Sequence, residues 1–236
     1  MFIVYGMLRM ERIGISNMEE TQYYKEIYSK FWINQTRKYG YAAYERNLVR
    51  LICRSLPQNV FEVGIGTGWP IGAALKRKGI QVDGCDIAEN SVVLAQKELD
   101  NTDGIWAGDV LEYQGSKLYD VTYCVRASWY IPDFYVTLEK MISMTRPGGY
   151  IIFDVMDKNH LYCLKIRLAE MKNQYYKLLG IHLEERYGIH FISLFKMQTF
   201  LKKNGLTYQF WNEGEITNNK DKINTPKVVF CCRKGN

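Results

Sequence analysis

The chain has 236 residues, enough to bury the core of one domain. Its 47% hydrophobic and 24% charged residues exclude a disordered polypeptide. A formal net charge of +6 is spread thinly, with small clusters such as Lys76-Arg77-Lys78, which favours solvated faces over a nucleic-acid groove.

The six cysteines show no Cys-x-x-Cys spacing and sit mostly in apolar runs, the pattern of reduced, buried thiols in a cytosolic protein. The opening stretch MFIVYGML lacks a basic region before it and is too short to span a bilayer, so neither export nor an anchor is expected. No metal site is expected.

In chain order, residues 19–32 predict an amphipathic helix with Tyr24, Ile27, Tyr28 and Phe31 on one face. A second helix is expected over 41–56, stopped by Pro57. Strands and helices then alternate: a strand at 59–64, a helix at 69–79 closed by Gly79, a strand at 80–86 and a helix at 89–101. Strands at 104–109 and 119–125 follow, then a helix at 132–145 opened by Pro132 and a strand at 148–156. Such alternation builds right-handed parallel βαβ units and an open sheet covered on both faces. Beyond it come a helical insert (158–180), an irregular segment to Ile192, and a helix at 193–205 capped by Ser193. Two strands, 206–211 and 227–233, end the chain; the polar loop 212–226 between them is too long for a tight hairpin but allows antiparallel pairing at the sheet edge.

The stretch VFEVGIGTGWP places Gly64, Gly66 and Gly68 at the first strand-to-helix turn, where open parallel sheets bind ligands. Gly64 can make the bend, and Gly66 lets a ligand approach the backbone. A phosphate loop would need a Gly-Lys-Ser/Thr ending, which is missing, and a dinucleotide fingerprint would need a third glycine at position 69, which is Trp69. Asp86 ends the second strand, 18 residues past Gly68, where a carboxylate can accept from both hydroxyls of a ribose; NAD and a nucleoside thioether would each use it. Asp109, in AGDV, ends the third strand, where a carboxylate can accept from the exocyclic amine of adenine.

With these four pieces (VFEVGIGTG, GCDIAEN, AGDV and YDVTYCVRASWYI followed by RPGGYIIFDV) residues 58–157 resemble the class I S-adenosylmethionine-dependent methyltransferases, and KVVFCCR looks like that family's last strand. The resemblance implies a Rossmann-like, doubly wound, mostly parallel seven-stranded sheet with helices on both faces, preceded by an N-terminal helical lid (1–57). Within the core (58–236), residues 158–192 would be a substrate-covering insert. It also implies that Gly64, Gly66 and Gly68, with Thr67 between them, pass along the methionyl part and ribose of S-adenosylmethionine. Asp86 would hold the ribose diol, Ile87 would lie on an adenine face, Asp109 would take the adenine amine and Val110 would donate from its backbone. Glu62 would meet the methionyl amine, Val125 and Arg126 would border the cofactor, and Tyr24, Tyr28 and Trp32 would belong to the lid.

Methyl transfer by in-line displacement needs alignment and dryness more than a base, but a hydroxyl acceptor gains from proton removal. His160, after the fifth strand, and Tyr130, after the fourth, are the candidate catalytic groups, while Arg126 could also hold an anionic substrate group or pair with a local acid. The compact size and the insert point to a small-molecule acceptor, methylated on oxygen or nitrogen. An RNA or protein acceptor, recognised through the basic surface and marked by steep salt dependence, is the competing reading, and a cofactor-binding regulator without transfer is the third. The absence of an Asn/Asp-Pro-Pro-Tyr/Phe box after the fourth strand argues against exocyclic base amines as acceptors.

Overall fold

The computed structural model describes residues 20–39, 41–178, 189–219 and 225–235. Residue 19, the expected helix start, most of the irregular segment before Ile192 with His182 and Tyr187, and the N-terminal stretch fall outside the described residues. The side chains of Tyr28 and Tyr176 are likewise outside them.

The N-terminal helix is built as α1 (Glu20–Tyr23), a π turn (Tyr24–Tyr28) and α2 (Ser29–Tyr39), and so runs seven residues past the expected stop at Trp32. α3 (Ala43–Cys53) is shorter than the predicted 41–56: Leu56, the residue before Pro57, is pushed out of the helical region to φ 50°. β1 (Asn59–Val63), α4 (Ile71–Lys76), β2 (Gln81–Asp86), α5 (Glu89–Leu99), β3 (Ile105–Ala107), β4 (Tyr119–Cys124) and α6 (Phe134–Met144) follow the expected alternation. β5 (Thr145–Asp157) starts three residues earlier than predicted and shifts register against β4 between Tyr119 and Val121, so the Pro147-Gly148-Gly149 stretch is absorbed as an irregularity.

α7 (Leu161–Leu178) is the insert, and β6 (Phe191–Ile192), α8 (Leu194–Lys203), β7 (Thr207–Asn212), α9 (Glu213–Thr217) and β8 (Lys227–Arg233) complete the chain. α9 lies in what the sequence suggested was loop. Asn212 accepts from the Glu215 backbone N–H while the Glu215 carboxylate accepts from Asn212 N–H, a capping box that starts a helix in polar sequence. It is tied to α3 by Asn47 Nδ2, which donates to the Ile216 carbonyl at 2.6 Å.

The strands are ordered β3-β2-β1-β4-β5-β8-β7, with β1 through β5 parallel and β8 antiparallel to both β5 and β7. The expected seven strands are all present, and β6 adds a short parallel pairing to the end of β5 that no periodicity in two residues could announce. The central strands are covered on both faces, so they are apolar at nearly every position rather than alternating. On β1, Val60 packs into the face shared with α3, α4 and α5, and Phe61 and Val63 into the face shared with α6 and α8.

In the second layer Phe153 is fully buried between Phe134 (ring centroids 5.4 Å) and Phe230 (5.2 Å). Phe153→Ala removes a large buried ring with rigid neighbours on both sides and is expected to cost about 3–5 kcal/mol of unfolding free energy, measured by denaturant titration. A cost below about 1 kcal/mol would mean that this layer collapses to fill the space.

Candidate functional site

The strand order reverses between β1 and β4, and a cavity opens there over the carboxyl ends of the strands. Gly64, Gly66, Asp86, Ile87, Asp109 and Val110 line one half; Arg126, Trp129, Tyr130 and Lys227 line the other. Tyr24, Ser29 and Trp32 of the N-terminal helix line it as well.

The three turn glycines all have positive φ (74°, 56° and 75°), but they are needed for different reasons. A Cβ on Gly64 would stand 2.4 Å from Ala127 Cβ, and one on Gly68 3.1 Å from Leu99 on α5. A Cβ on Gly66 would meet nothing closer than Trp32 Nε1 at 3.8 Å. Gly64 and Gly68 therefore let the turn pack against the protein, and Gly66 alone leaves its open side to the space beneath Trp32. Gly84 is a fourth required glycine: a Cβ there would lie 2.6 Å from the Glu62 carbonyl oxygen.

Asp86 braces this turn. Its Oδ2 accepts from Gly66 N–H and its Oδ1 from Ala88 N–H, each at 2.9 Å, while the carboxylate also borders the cavity. Burial raises the Asp86 pKa, and the two backbone donors oppose the rise. Asp109 caps the short turn after β3 by accepting from Leu111 N–H at 2.9 Å and faces the cavity from its exposed side. Glu62 lies behind the turn on β1, 6% exposed, accepting from Tyr123 Oη at 2.8 Å, and burial pushes its pKa up to about 8.

The opposite wall hangs on Asp154, a fully buried acid on β5. It accepts from Tyr44 Oη at 2.7 Å and from Arg126 N–H at 2.8 Å, and Ser128 Oγ donates to its carbonyl. Arg126 is thereby held at φ 62°, a conformation unusual for a residue with a side chain. Its guanidinium pairs with the buried Glu45 of α3 through Nη2, while Nε is buried with no hydrogen-bond partner among the described residues. Lys227, the first residue of β8, reaches into the same wall, and burial pulls its pKa down.

Several residues singled out in the sequence stand outside the cavity lining. His160 caps α7, its Nδ1 accepting from Tyr162 N–H at 3.1 Å. Val125 is packed in the core, Trp69 packs beside the core under Arg77, and Gly68 and Thr67 are buried in the turn. Thr67 Oγ1 is buried there with no hydrogen-bond partner among the described residues. Tyr130 does line the cavity, with its ring centroid 5.0 Å from that of Tyr24. Tyr28 belongs to the π turn, and its side chain is outside the described set.

Glu45, Asp154, Tyr44 and Lys227 were missed. Asp154 carried a signal, an acid inside the apolar run YIIFDVM that needs partners if buried. Glu45 resembled a surface residue of an amphipathic helix, and Lys227 the polar start of a strand.

Residues 34–209 match the family model described as a methyltransferase domain. Among curated proteins, the ubiquinone biosynthesis O-methyltransferase of Aliivibrio fischeri is 27% identical over 170 residues, covering 66% of this chain and 68% of that protein. Among solved structures, the magnesium protoporphyrin IX methyltransferase of Synechocystis with bound SAH superposes at TM-score 0.64 and 13% identity, over 92% of this chain and 100% of that one. An S-adenosylmethionine-dependent methyltransferase of Clostridium acetobutylicum superposes at TM-score 0.62 and 14% identity, over 89% and 99% of the two chains. The fold is that of these enzymes, and with three quarters of its length matched the chain belongs to the family of methyltransferase domains.

Proposed function

We propose that the protein binds S-adenosylmethionine along β2, β1 and β4 and transfers its methyl group to an oxygen or nitrogen of a small molecule. The observation that carries this reading is Asp86: its carboxylate is fixed by two backbone donors, and it borders the cavity beside the one turn glycine whose side-chain position is open. An acid held in that way has oxygen lone pairs left for a ribose diol. Asp109 and the Val110 backbone, on the neighbouring loop, suit an adenine, and Ile87 supplies an apolar surface for its ring. The residues fit the group.

When bound, the sulfonium cofactor supplies an electrophilic methyl carbon. This chain's own residues orient and enclose it. Tyr24, Ser29 and Trp32 cover the cavity from the N-terminal side, and Tyr130 closes against Tyr24, which excludes water from the reacting centre. Glu62, one layer behind the turn, would receive the methionyl ammonium directly or through water, and a cation there would draw its carboxyl towards the ionised form. The relatives named as ubiquinone biosynthesis O-methyltransferases support a small acceptor, as does a cavity covered by helix rather than open as a groove. No helix among the described residues is long and apolar enough to cross a membrane.

Asp86→Ala is expected to weaken binding of S-adenosylhomocysteine by about 1–3 kcal/mol in titration calorimetry. Because Asp86 also braces the turn, Asp86→Asn serves as the milder comparison; unchanged affinity in both would refute the ribose assignment. Glu62 gives a second, pH-dependent expectation. In the folded chain its carboxyl titrates near 8 rather than at the ordinary 4.5, so the stabilising proton is fully present below pH 4.5 and lost as pH rises through about 8. Glu62→Gln, which cannot ionise, should therefore gain melting temperature over the parent, ligand-free, as pH rises from acid to mildly alkaline. A difference that stays flat with pH would assign the titration to another group.

A further inference from the structure

We propose that Lys227 selects the acceptor: its ammonium holds a negatively charged oxygen, whether carboxylate, phenolate or enolate, of a planar aromatic or conjugated substrate laid against Trp129 and Tyr130. This rests on reading the cavity as a cofactor and acceptor site, and it adds the chemical class of the acceptor.

Lysine is seldom buried unless paired, yet Lys227 is 9% exposed. It forms an ion pair with Glu213 Oε2 at 3.6 Å, a separation too long for a hydrogen bond. Its Nζ otherwise lies 4.5 Å from the centre of the Tyr44 ring and 5.5 Å from that of Trp129. One long ion pair leaves hydrogen-bonding capacity on an ammonium that lines the cavity. The acids nearby are already committed: Glu45 pairs with Arg126, and Asp154 accepts from Tyr44 and from the Arg126 backbone. Arg126 Nε, buried without a hydrogen-bond partner among the described residues, adds a second donor on the same wall.

The topology puts these donors on the acceptor side. The residues suited to the nucleoside belong to β3, β2 and β1, whereas Lys227 is three strands beyond β1, roughly 14 Å away at the usual ~4.8 Å spacing. That leaves room for a ring between the β4 tip and β8. Trp129 and Tyr130, with ring centroids 5.9 Å apart, supply the apolar flank. An ammonium carries donors and no acceptor, so the partner that satisfies it is an anion or a strongly accepting oxygen, and an amine nucleophile would lose its lone pair to it.

The test is calorimetry on the full chain saturated with S-adenosylhomocysteine, titrated with 3,4-dihydroxybenzoate and with its neutral counterpart 3,4-dihydroxybenzamide. The acid is expected to bind about tenfold more tightly than the amide, the size of a hydrogen bond to a charged group. Lys227→Met should abolish that preference while leaving the affinity for S-adenosylhomocysteine as in the parent. Equal affinities for acid and amide in the parent, no measurable binding of the acid, or a preference that survives Lys227→Met would each overturn the proposal. The parent comparison needs no variant, so it decides even if the substitution prevents folding. Failure of the parent to bind S-adenosylhomocysteine, seen before any acceptor probe is added, would instead sink the cofactor reading and this proposal with it.

Discussion

The Asp154 carboxylate, buried inside the sheet, accepts one hydrogen bond from α3 through Tyr44 and one from the backbone of Arg126. An uncompensated charge at such depth would be very costly, so each partner is held in place by the need to satisfy it. The Arg126 backbone takes a left-handed conformation that few side-chain-bearing residues adopt, and the chain is turned so that Ser128, Trp129 and Tyr130 rise along the cavity. Ser128 donates back to the Asp154 carbonyl and closes the loop on the strand that supports it. This wall of the cavity is thus a consequence of one acid and its obligations.

The other wall uses the same device on a smaller scale. Asp86 gathers the backbone N–H groups of Gly66 and Ala88, which fixes the first and second strand ends relative to each other before any ligand arrives. A site preorganised in this way loses little entropy on binding, since the polar groups that would contact a ligand are already positioned by the fold.

Most of this was legible in the sequence where the signal was local. The alternation of apolar strands and amphipathic helices, the glycine turn and the acids at strand tips all follow from spacing along a few residues, and the sheet reproduces them. What depended on chain reversal was not legible. On a parallel strand the last residue reaches the ligand edge, but β8 runs the other way, so its first residue, Lys227, stands there. A lysine opening an apolar strand reads as solvated until the direction of that strand is known. β6 was too short to show a period, and α9 was overlooked although Asn212 and Glu215 have the capping-box spacing. His160 drew attention by its place after β5; its Nδ1 accepts from Tyr162 N–H at the start of α7, outside the cavity lining.

The π turn at Tyr24–Tyr28 has a geometric consequence for the cover over the cavity. In an unbroken α-helix, residues eight apart point roughly 80° away from one another. The wider turn takes up that excess. Tyr24 before it and Trp32 beyond it can then both look down onto the same opening. One extra residue wound into the coil thus acts as a phase corrector: were the same residues wound as a plain α-helix, the indole would be turned roughly 80° off the opening that the tyrosine faces.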